Sequence, residues 1–359
     1  MDLLNAVVAL ANFVIVPAVS YGSQLALGAL GVTLVYGILR FSNFAHGDTM
    51  AFGTTMTILF TWAIPPSLAW LLQNAPFIIS APLLFLVQPF GVGGGALPTA
   101  LIALPLGILA TALLVLGTDR VVYRFYRAQR AQPVIFLIVS IGVMFVLNGL
   151  VRLIIGVDDR RFSDGERFVI SARTFREMTG LAEGLAIRTT TVLTVVVAIL
   201  VVAALFWFLE RTRTGKSMRA YSDNEDLALL SGINPERVVL ITWLIVAGLA
   251  TIAGVLYGLD KSFRPFTYFQ LLLPIFAAAI VGGLGNPVGA IAGGFVVAFS
   301  EVGITYAFRK VLGYLLPEGL QPDGLVQLLS TDYKFAVSFM ILVIVLLIKP
   351  TGLFAGKAV

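Results

Sequence analysis

Long apolar stretches alternate with short polar segments along almost the whole chain. A helix that crosses a bilayer needs roughly 20 apolar residues, with a range of about 17–25. The pattern predicts ten such helices, a few of them short, and the first two are also compatible with one helix broken near Pro17 and Gly22. A further apolar stretch, 67–87, is interrupted by prolines, which predicts a broken or interfacial helix. The ten stretches are 3–19, 21–39, 49–64, 99–117, 133–155, 189–209, 238–259, 269–284, 287–307 and 335–348.

The composition agrees with this pattern. Apolar residues make up 58% and charged residues 12% of the 359 residues, whereas about 25% of the residues of a soluble domain are charged. We therefore predict an all-α polytopic membrane protein with about ten transmembrane helices in a single domain, residues 1–359. The chain has no cysteine and a single histidine, His46. This excludes disulfides, thiolate metal sites, cysteine nucleophiles and a histidine-based zinc site.

The basic residues indicate which segments face the cytoplasm, because Lys and Arg are retained on that side of a membrane. They are concentrated between the fourth and fifth spans, in the loop 210–237 and in the tail after the last span. With ten spans, this predicts both termini in the cytoplasm and periplasmic segments at 65–98, 156–188 and 308–334. None of these segments is long enough for a soluble catalytic domain. Because the location of the basic residues relative to the membrane matters more than their sum, the net charge of +5 does not argue for nucleic-acid binding.

One motif in the loop resembles the end of a phosphate-binding loop, RTGKS at residues 213–217. That motif needs another glycine five residues before the glycine of the GK pair, and a strand in front of it. Glu210 occupies the glycine position, and a predicted membrane span precedes it. We therefore predict no nucleotide site on this chain.

Glycines are concentrated in the segment 282–294, GGLGNPVGAIAGG. Gly285 and Gly289 belong to a series spaced four residues apart, which lets two helices approach closely. One interpretation is close packing within the chain. The other is a break between two half-helices beside a transport path, where backbone dipoles face a polar solute. Pro287 favours a break because it removes a backbone donor and restricts the conformation of Asn286.

Polar residues between the second and third spans form the sequence FSNFAHGDT, residues 41–49. Gly47 permits a tight turn, and Asp48 is predicted to cap a helix that begins at Thr49. His46 is interpreted as a hydrogen-bonding structural residue. A proton-relay role is the alternative, although no acidic partner lies at helical spacing.

Three polar side chains fall inside predicted spans: Asn148 and Arg152, four residues apart in the fifth, and Glu301 in the ninth. An ionisable group at membrane depth is costly and normally faces the interior of the bundle with a partner. Glu301 is therefore interpreted as a member of an internal pair or as a residue that lines a pathway.

The cytoplasmic loop contains a predicted amphipathic helix. Acidic residues near Asp223 begin it, Gly232 ends it, and Pro235 opens the next helix. Such a helix can dock a cytoplasmic partner or lie at the membrane interface, and the residues alone favour neither. Its apolar residues are Leu227, Leu229, Leu230 and Ile233.

Several segments together resemble one family, the permeases of branched-chain amino acid ABC transporters. YGILRFSNFAHGD at 36–48 is similar to the signature near the start of these permeases. RAYSDNEDLALLSGIN at 219–234 resembles their coupling loop, and AAAIVGGLGNPVGAIAGG at 278–294 resembles their glycine-rich segment. The final segment, 330–354, and more weakly 119–132, also match in order. The first span and the stretch 65–98 look longer than is usual in the family.

The resemblance implies the ABC importer permease fold and an inner-membrane subunit that translocates branched-chain or other hydrophobic amino acids. It implies four kinds of partner: a second, homologous permease, two ATPase subunits, a periplasmic substrate-binding protein and the lipid bilayer. No cofactor is expected on this chain, since ATP and Mg would be bound by the ATPase subunits. Urea, short amides or another small organic solute are the alternative substrates. A secondary transporter or an intramembrane enzyme is a weaker hypothesis, because Glu301 is the one clear intramembrane acid and no paired nucleophile and base is found.

Two groups of site residues follow. The first is expected to contact the ATPase, with its apolar members facing that subunit: Arg219, Asp223, Leu229, Leu230, Gly232 and Ile233. The second is expected near the translocation path or the interface with the partner permease: Thr33, Tyr36, Asn43, His46, Gly282, Gly283, Gly285, Gly289 and Glu301.

Overall fold

The structure is a computed structural model, and it describes residues 2–63, 99–162, 168–317, 320–322, 324 and 326–354. Within these ranges, eight helical segments are long and apolar enough to cross a membrane. The predicted class, an all-α polytopic membrane protein, is confirmed. The stretches 65–98 and 67–87 lie outside the described residues. The eight segments are Asp2–Leu39, Ala100–Ala128, Pro133–Ile155, Thr189–Arg211, Pro235–Asp260, Pro265–Gly282, Pro287–Thr305 and Thr331–Ile348.

Helices and strands are numbered here in chain order over the described residues. Two π-helical turns, Ala11–Ile15 and Asp119–Tyr123, continue longer helices. The two strands, β1 (Phe168–Ile170) and β2 (Ile187–Arg188), pair antiparallel. The helices are α1 (Asp2–Leu10), α2 (Val16–Leu39), α3 (His46–Ala63), α4 (Thr99–Thr118), α5 (Arg124–Ala128), α6 (Pro133–Ile155), α7 (Ala172–Thr179), α8 (Thr189–Arg211), α9 (Arg213–Asp223), α10 (Glu225–Leu230), α11 (Pro235–Asp260), α12 (Pro265–Gly282), α13 (Pro287–Thr305), α14 (Arg309–Leu315) and α15 (Lys334–Ile348).

The first two predicted spans are one continuous helix, so the prediction of two separate spans is wrong. The π turn Ala11–Ile15 joins α1 to α2, and Pro17 lies at the start of α2, where its missing N–H is tolerated. The N-terminal end of α1 packs against α14, and the Asn5 side chain accepts hydrogen bonds from the backbone of Ala182 and Glu183. The other end of α2 reaches the loop 210–237. The two ends of this continuous helix therefore lie at opposite ends of the bundle, and the sides of the membrane on which the termini lie stay a prediction.

Helix α2 forms the centre of the bundle. It packs against α8, α11, α12 and α13, and most of its residues are buried. Small residues permit the closest contacts: the backbone of Ala26 lies against Gly294 of α13. Most of α2 is therefore enclosed by its own chain, and its contact with a partner permease stays a prediction. Residues of α2 reach a ligand only through a cavity.

An irregular segment, residues 40–45, connects α2 to α3 inside the protein. Phe41, Asn43 and Ala45 are buried, and the segment returns into the bundle, because the His46 ring lies against Gly31 in the middle of α2. Backbone groups in such a segment must be satisfied by protein when lipid surrounds the bundle. Two side-chain contacts do this: Phe44 N–H donates to Ser140 Oγ and Ala45 N–H donates to Asn43 Oδ1, each at 3.1 Å. The Tyr123 hydroxyl donates to the same Asn43 Oδ1 at 3.3 Å and holds that side chain in place.

At the end opposite the loop 210–237, the segment after α6 forms a small cap. It contains β1, α7 and β2, and Ser171 Oγ accepts from Thr174 N–H to cap α7. Lys310 Nζ and the Tyr314 hydroxyl of α14 donate to Glu183 at 2.8 and 2.7 Å. Burial raises the pKa of the Glu183 carboxyl, but these two hydrogen bonds outweigh burial and hold the pKa below its ordinary value.

Candidate functional site

The loop 210–237 folds into two short helices rather than the one that was predicted. Three polar residues cap the successive helices: Thr212 Oγ1 accepts from Gly215 N–H at 2.9 Å, and Asn224 Oδ1 accepts from Leu227 N–H at 2.9 Å. Asn234 caps α11 in the same way. These are the side chains that favour a helix N-terminus. Each helix therefore begins at a polar residue that sequence reasoning could have recognised.

The end of α10 agrees with the prediction. Gly232 has a φ of +80°, a conformation that glycine adopts without steric cost, and its N–H donates to the Leu229 carbonyl at 3.0 Å. Pro235 opens α11, as predicted.

The apolar side chains of α10 divide into two sets. Leu227, Leu229 and Leu230 are exposed, by 61%, 43% and 86%. Ile233 instead packs against an internal cluster that contains Met218 and Ala228. Ile233 is therefore half-buried and less available to a partner than the three leucines, and contact of these residues with an ATPase stays a prediction. The exposed set, named here the leucine face, comprises Leu227, Leu229 and Leu230.

Gly215 of the RTGKS motif lies in the turn between α8 and α9. A Cβ at this position would meet the backbone of Phe208 and Leu209. The glycine is therefore needed for the close approach of α8 and α9.

Ser222 of α9 joins this surface to the central helix. Its hydroxyl donates to the Gly37 carbonyl at 3.0 Å, and its own carbonyl accepts a hydrogen bond from the Arg40 guanidinium. Arg40 ends α2 in a left-handed conformation, with a φ of +57°. Tyr221, its neighbour, donates to Glu225 Oε1 at 2.6 Å, and burial together with this bond raises the pKa of Tyr221 above its ordinary range.

A cavity of about 400 Å³, named here the inner pocket, lies between α9, α2 and the turn that precedes α13. It brings together four residues that the sequence analysis assigned to two separate groups. Arg219 and Asp223 come from the predicted coupling loop, whereas Thr33 and Gly285 come from the predicted path. The predicted coupling and path segments therefore meet around one cavity.

The glycine-rich segment forms a helical hairpin. α12 ends at Gly282 and α13 begins at Pro287, and Gly283 and Gly285 in the turn have φ values of +99° and +85°. A break at Asn286–Pro287 is confirmed. Each of the two helices spans a membrane by length, so this is a turn between full helices and not the predicted break between half-helices.

Two of these glycines serve packing inside the chain. A Cβ on Gly282 or Gly289 would meet the backbone of the other, whereas a Cβ on Gly285 would meet nothing within 4 Å. Gly289 is thus buried within the hairpin, whereas Gly285 lines the inner pocket. The chain's last described residues cover the turn: Leu353 N–H donates to the Val281 carbonyl at 2.7 Å, and Gly352 lies against Gly283.

Three further predicted path residues have structural contacts. Tyr36 accepts from Arg40 N–H through its carbonyl, Asn43 holds the irregular segment, and His46 is fully buried. A Cβ on Gly31 would lie 2.5 Å from His46 Cε1, so the ring fills the space that this glycine leaves.

Sequence reasoning missed a second buried acid. α3 begins at His46, so Asp48 lies in its first turn and does not cap a helix at Thr49. Asp48 is fully buried and accepts from Asn148 Nδ2 of α6 at 2.7 Å. The pairing of Asn148 with an acid across the bundle was not visible at any helical spacing, because the two residues are 100 positions apart.

Glu301 is buried in α13. One carboxylate oxygen accepts from the Ser338 hydroxyl of α15, which agrees with the expected internal partner. Glu301 also lines a second cavity, at the end of the bundle opposite the inner pocket.

These features define a class: a polytopic helical membrane protein with a pair of short helices across one end and, within the described residues, no group of three or more His, Asp or Glu that could hold a metal ion. The family described as "Branched-chain amino acid transport system / permease component" matches residues 14–346, and the chain belongs to it.

Similar proteins of known description cover nearly the whole chain. The high-affinity branched-chain amino acid transport system permease protein LivH of Salmonella typhimurium is 31% identical, over 93% of this chain and 92% of its own. The permease protein BraD of Pseudomonas aeruginosa, which has the same description, is 28% identical over 94% of each chain. No solved structure matches the chain.

Proposed function

We propose that this chain is an inner-membrane permease subunit of an ABC importer for branched-chain or other hydrophobic amino acids. Family membership and the names of LivH and BraD support this solute class. Two separate ATPase subunits bind ATP and Mg, a second permease completes the pathway, and a periplasmic protein delivers the solute.

The observation that carries the proposal is the connection of an exposed apolar surface to the central helix. The leucine face lies on α10, α9 precedes it in the chain, and Ser222 of α9 bonds to Gly37 and Arg40 at the end of α2. An ATPase that contacts the leucine face would move α9 and therefore the wall of the inner pocket. A helix that merely rested on lipid would not need this bonded link.

The proposed orientation has the loop 210–237 in the cytoplasm and the N-terminal end of α1 in the periplasm. Arginines support it: Arg124 pairs with Glu236 beside the loop, at 3.8 Å, so the basic segments before α6 and after α8 share one face. Lys and Arg are concentrated on the cytoplasmic side of membrane proteins. The C-terminal tail, which covers the α12–α13 turn, lies on that same face.

Uptake by the reconstituted complex tests the solute class. The two permeases, the ATPases and the binding protein are placed in liposomes with internal ATP, and uptake is measured for leucine, isoleucine, valine, phenylalanine, urea and acetamide. We expect ATP-dependent uptake of the apolar amino acids. Uptake confined to urea or acetamide, or uptake that follows an ion gradient without ATP, would overturn the proposal.

A charge placed on the leucine face tests the docking surface. Leu230→Asp should leave membrane insertion intact and reduce both complex formation and solute-stimulated ATP hydrolysis, because a carboxylate would be desolvated against the ATPase. Met178→Asp is the matched control, since Met178 is 81% exposed but lies on α7. Equal effects of the two substitutions would contradict the assignment.

A further inference from the structure

The second cavity, named here the outer pocket, has a volume of about 240 Å³ and lies at the end of the bundle opposite the inner pocket. It is bounded by the π turn after α1 and by the ends of α2, α11, α13 and α15. Its volume is below the about 300–1,000 Å³ of pockets for drug-sized ligands. It therefore suits a ligand with the dimensions of a single amino acid.

Glu301 and Tyr21 both line this pocket, and apart from each other Glu301 Oε2 and the Tyr21 hydroxyl have no hydrogen-bond partner among the described residues. Glu301 is 1% exposed and Tyr21 is 8% exposed. The two side chains are near enough to interact electrostatically. An ionised carboxylate can accept about four hydrogen bonds, so Glu301 can take further donors from a ligand in addition to the Ser338 and Tyr21 hydroxyls.

The remaining walls of the pocket are charged and aromatic. Lys261 and Lys334 supply positive charge, and Tyr257 and Phe13 supply rings. Neither lysine forms an ion pair with Glu301 among the described residues: Lys261 lies 3.7 Å from Asp260, and Lys334 lies over the Phe335 ring at 4.7 Å. One pocket thus holds a buried acid and two ammonium groups, of which Lys334 attracts Glu301 electrostatically without a direct ion pair.

We propose that the outer pocket binds a free zwitterionic amino acid. The solute's ammonium group, which has three donors, would be held by Glu301 Oε2, the Tyr21 hydroxyl and the faces of the Tyr21 and Tyr257 rings. Its carboxylate would face Lys334 and Lys261, and its side chain would lie against Phe13. The two lysines disfavour an inorganic cation at this position. This inference rests on the proposed function, and it assigns the permease its own site for the solute.

Direct binding to the permease–ATPase complex, without the binding protein, tests the inference. The complex is placed in nanodiscs of phosphatidylcholine, and binding of radiolabelled leucine is measured by equilibrium dialysis. Isoamylamine, which lacks the carboxylate, and isocaproate, which lacks the ammonium group, are the competitors. We expect Glu301→Gln to weaken leucine binding about tenfold or more. In this variant isoamylamine should no longer compete, whereas isocaproate should still compete. In Lys334→Gln the reverse is expected: isocaproate should no longer compete, whereas isoamylamine should still compete.

Further variants keep the test decisive. Tyr21→Phe keeps the ring and should weaken leucine binding about threefold, which provides a readout if Glu301→Gln fails to assemble. Glu177→Gln is the control, because Glu177 is a largely exposed acid of α7 on the same end of the molecule. Unchanged leucine binding in assembled Glu301→Gln and Tyr21→Phe would overturn the inference.

Two other occupants are distinguished in the same experiment. If the ligand were an ethanolamine lipid headgroup, leucine would not bind, and phosphatidylethanolamine retained from the cell membrane would be recovered with wild type but not with Glu301→Gln. If water alone filled the pocket, neither ligand would bind. Both results overturn the inference. In either case leucine uptake by wild-type liposomes would leave the proposed function intact, whereas absence of uptake for every amino acid would overturn the proposed function itself.

Discussion

At the scale of residues, the structure depends on side chains that satisfy backbone groups inside the bundle. Ser140 of α6 is fully buried and accepts from Phe44 N–H in the irregular segment 40–45. The same hydroxyl donates to the Leu137 carbonyl at 2.7 Å. Irregular backbone within a membrane protein is tolerated only where protein replaces water. Ser140 therefore has a structural role that its position in an apolar span does not reveal.

Ser140→Ala should destabilise the protein. The substitution leaves the Phe44 N–H without an acceptor, and a buried unpaired group costs about 1–3 kcal/mol. The apparent melting temperature in detergent should fall. Ser231→Ala is the control, since Ser231 is exposed and its hydroxyl bonds only to the Leu227 carbonyl one turn earlier. Equal melting temperatures for the two variants would contradict the role of Ser140.

The contact of Glu183 with α14 should depend on pH. The pKa of Glu183 is held below its ordinary value in the folded protein, so the stabilisation is present above the pKa of the unfolded chain and is lost as pH falls through the folded pKa. The hydrogen bond to Glu183 also raises the pKa of Tyr314 to about 12, so Tyr314 remains a donor at neutral pH. The melting temperature of Glu183→Gln should be below that of wild type at pH 7, and the two should converge once the pH has fallen below the lowered pKa of Glu183 in the folded protein. A difference that persists in acid would contradict this account.

At the scale of elements, the α12–α13 hairpin depends on backbone contact between two helices. Gly282 and Gly289 touch through their backbones, and the tail residue Phe354 accepts a hydrogen bond from Asn286 Nδ2 at 2.7 Å. Pro287 begins α13, and Asn286 Oδ1 caps it by accepting from Gly289 N–H at 3.1 Å. The hairpin positions Gly285 at the inner pocket.

Gly289→Ala should therefore disturb the hairpin. The added methyl group would enter the space of the Gly282 backbone, and overpacking of this kind costs about 1–3 kcal/mol. Assembly and transport should decrease together. Gly303→Ala, in the same helix, is the matched control, because a Cβ at Gly303 would meet nothing within 4 Å and alanine stabilises a helix relative to glycine. Loss of assembly in both variants would contradict the packing role.

Helices that are marked by a long apolar stretch, or by Gly or Pro at an end, could be predicted from the sequence. Most of the apolar stretches became helices close to their predicted bounds, and Gly232 and Pro235 end and begin helices where predicted. Contacts between distant residues could not be predicted, because helical spacing relates only residues within one helix. Asn148 with Asp48, and Ser222 with Gly37, are such pairs. The continuity of α1 with α2 was also obscured, since Pro17 and Gly22 look like a break but lie within a helix that tolerates both.

At the scale of the whole molecule, the absence of cysteine makes the proposed orientation testable by single substitutions. Leu230→Cys and Met178→Cys place one thiol on exposed positions at opposite ends of the bundle. In intact spheroplasts a membrane-impermeant maleimide should label Met178→Cys at once and Leu230→Cys only after permeabilisation. Labelling of both from one side would contradict the proposed orientation, and with it the position of α1, since Asn5 is bonded to the same outer segment.

The central helix lines both pockets, with Gly37 at the inner one and Tyr21 at the outer one. At 1.5 Å per residue these positions are about 24 Å apart along one rigid rod. If solute binding at one end displaces this helix and changes the affinity of the ATPase for the other end, the two binding events share one coupling free energy. Thermodynamic linkage is reciprocal, so ATPase docking changes the affinity for solute by the same free energy. Bound solute should therefore change the affinity of the permease for the ATPase by a certain factor, and ATPase docking should change the affinity of the permease for solute by that same factor.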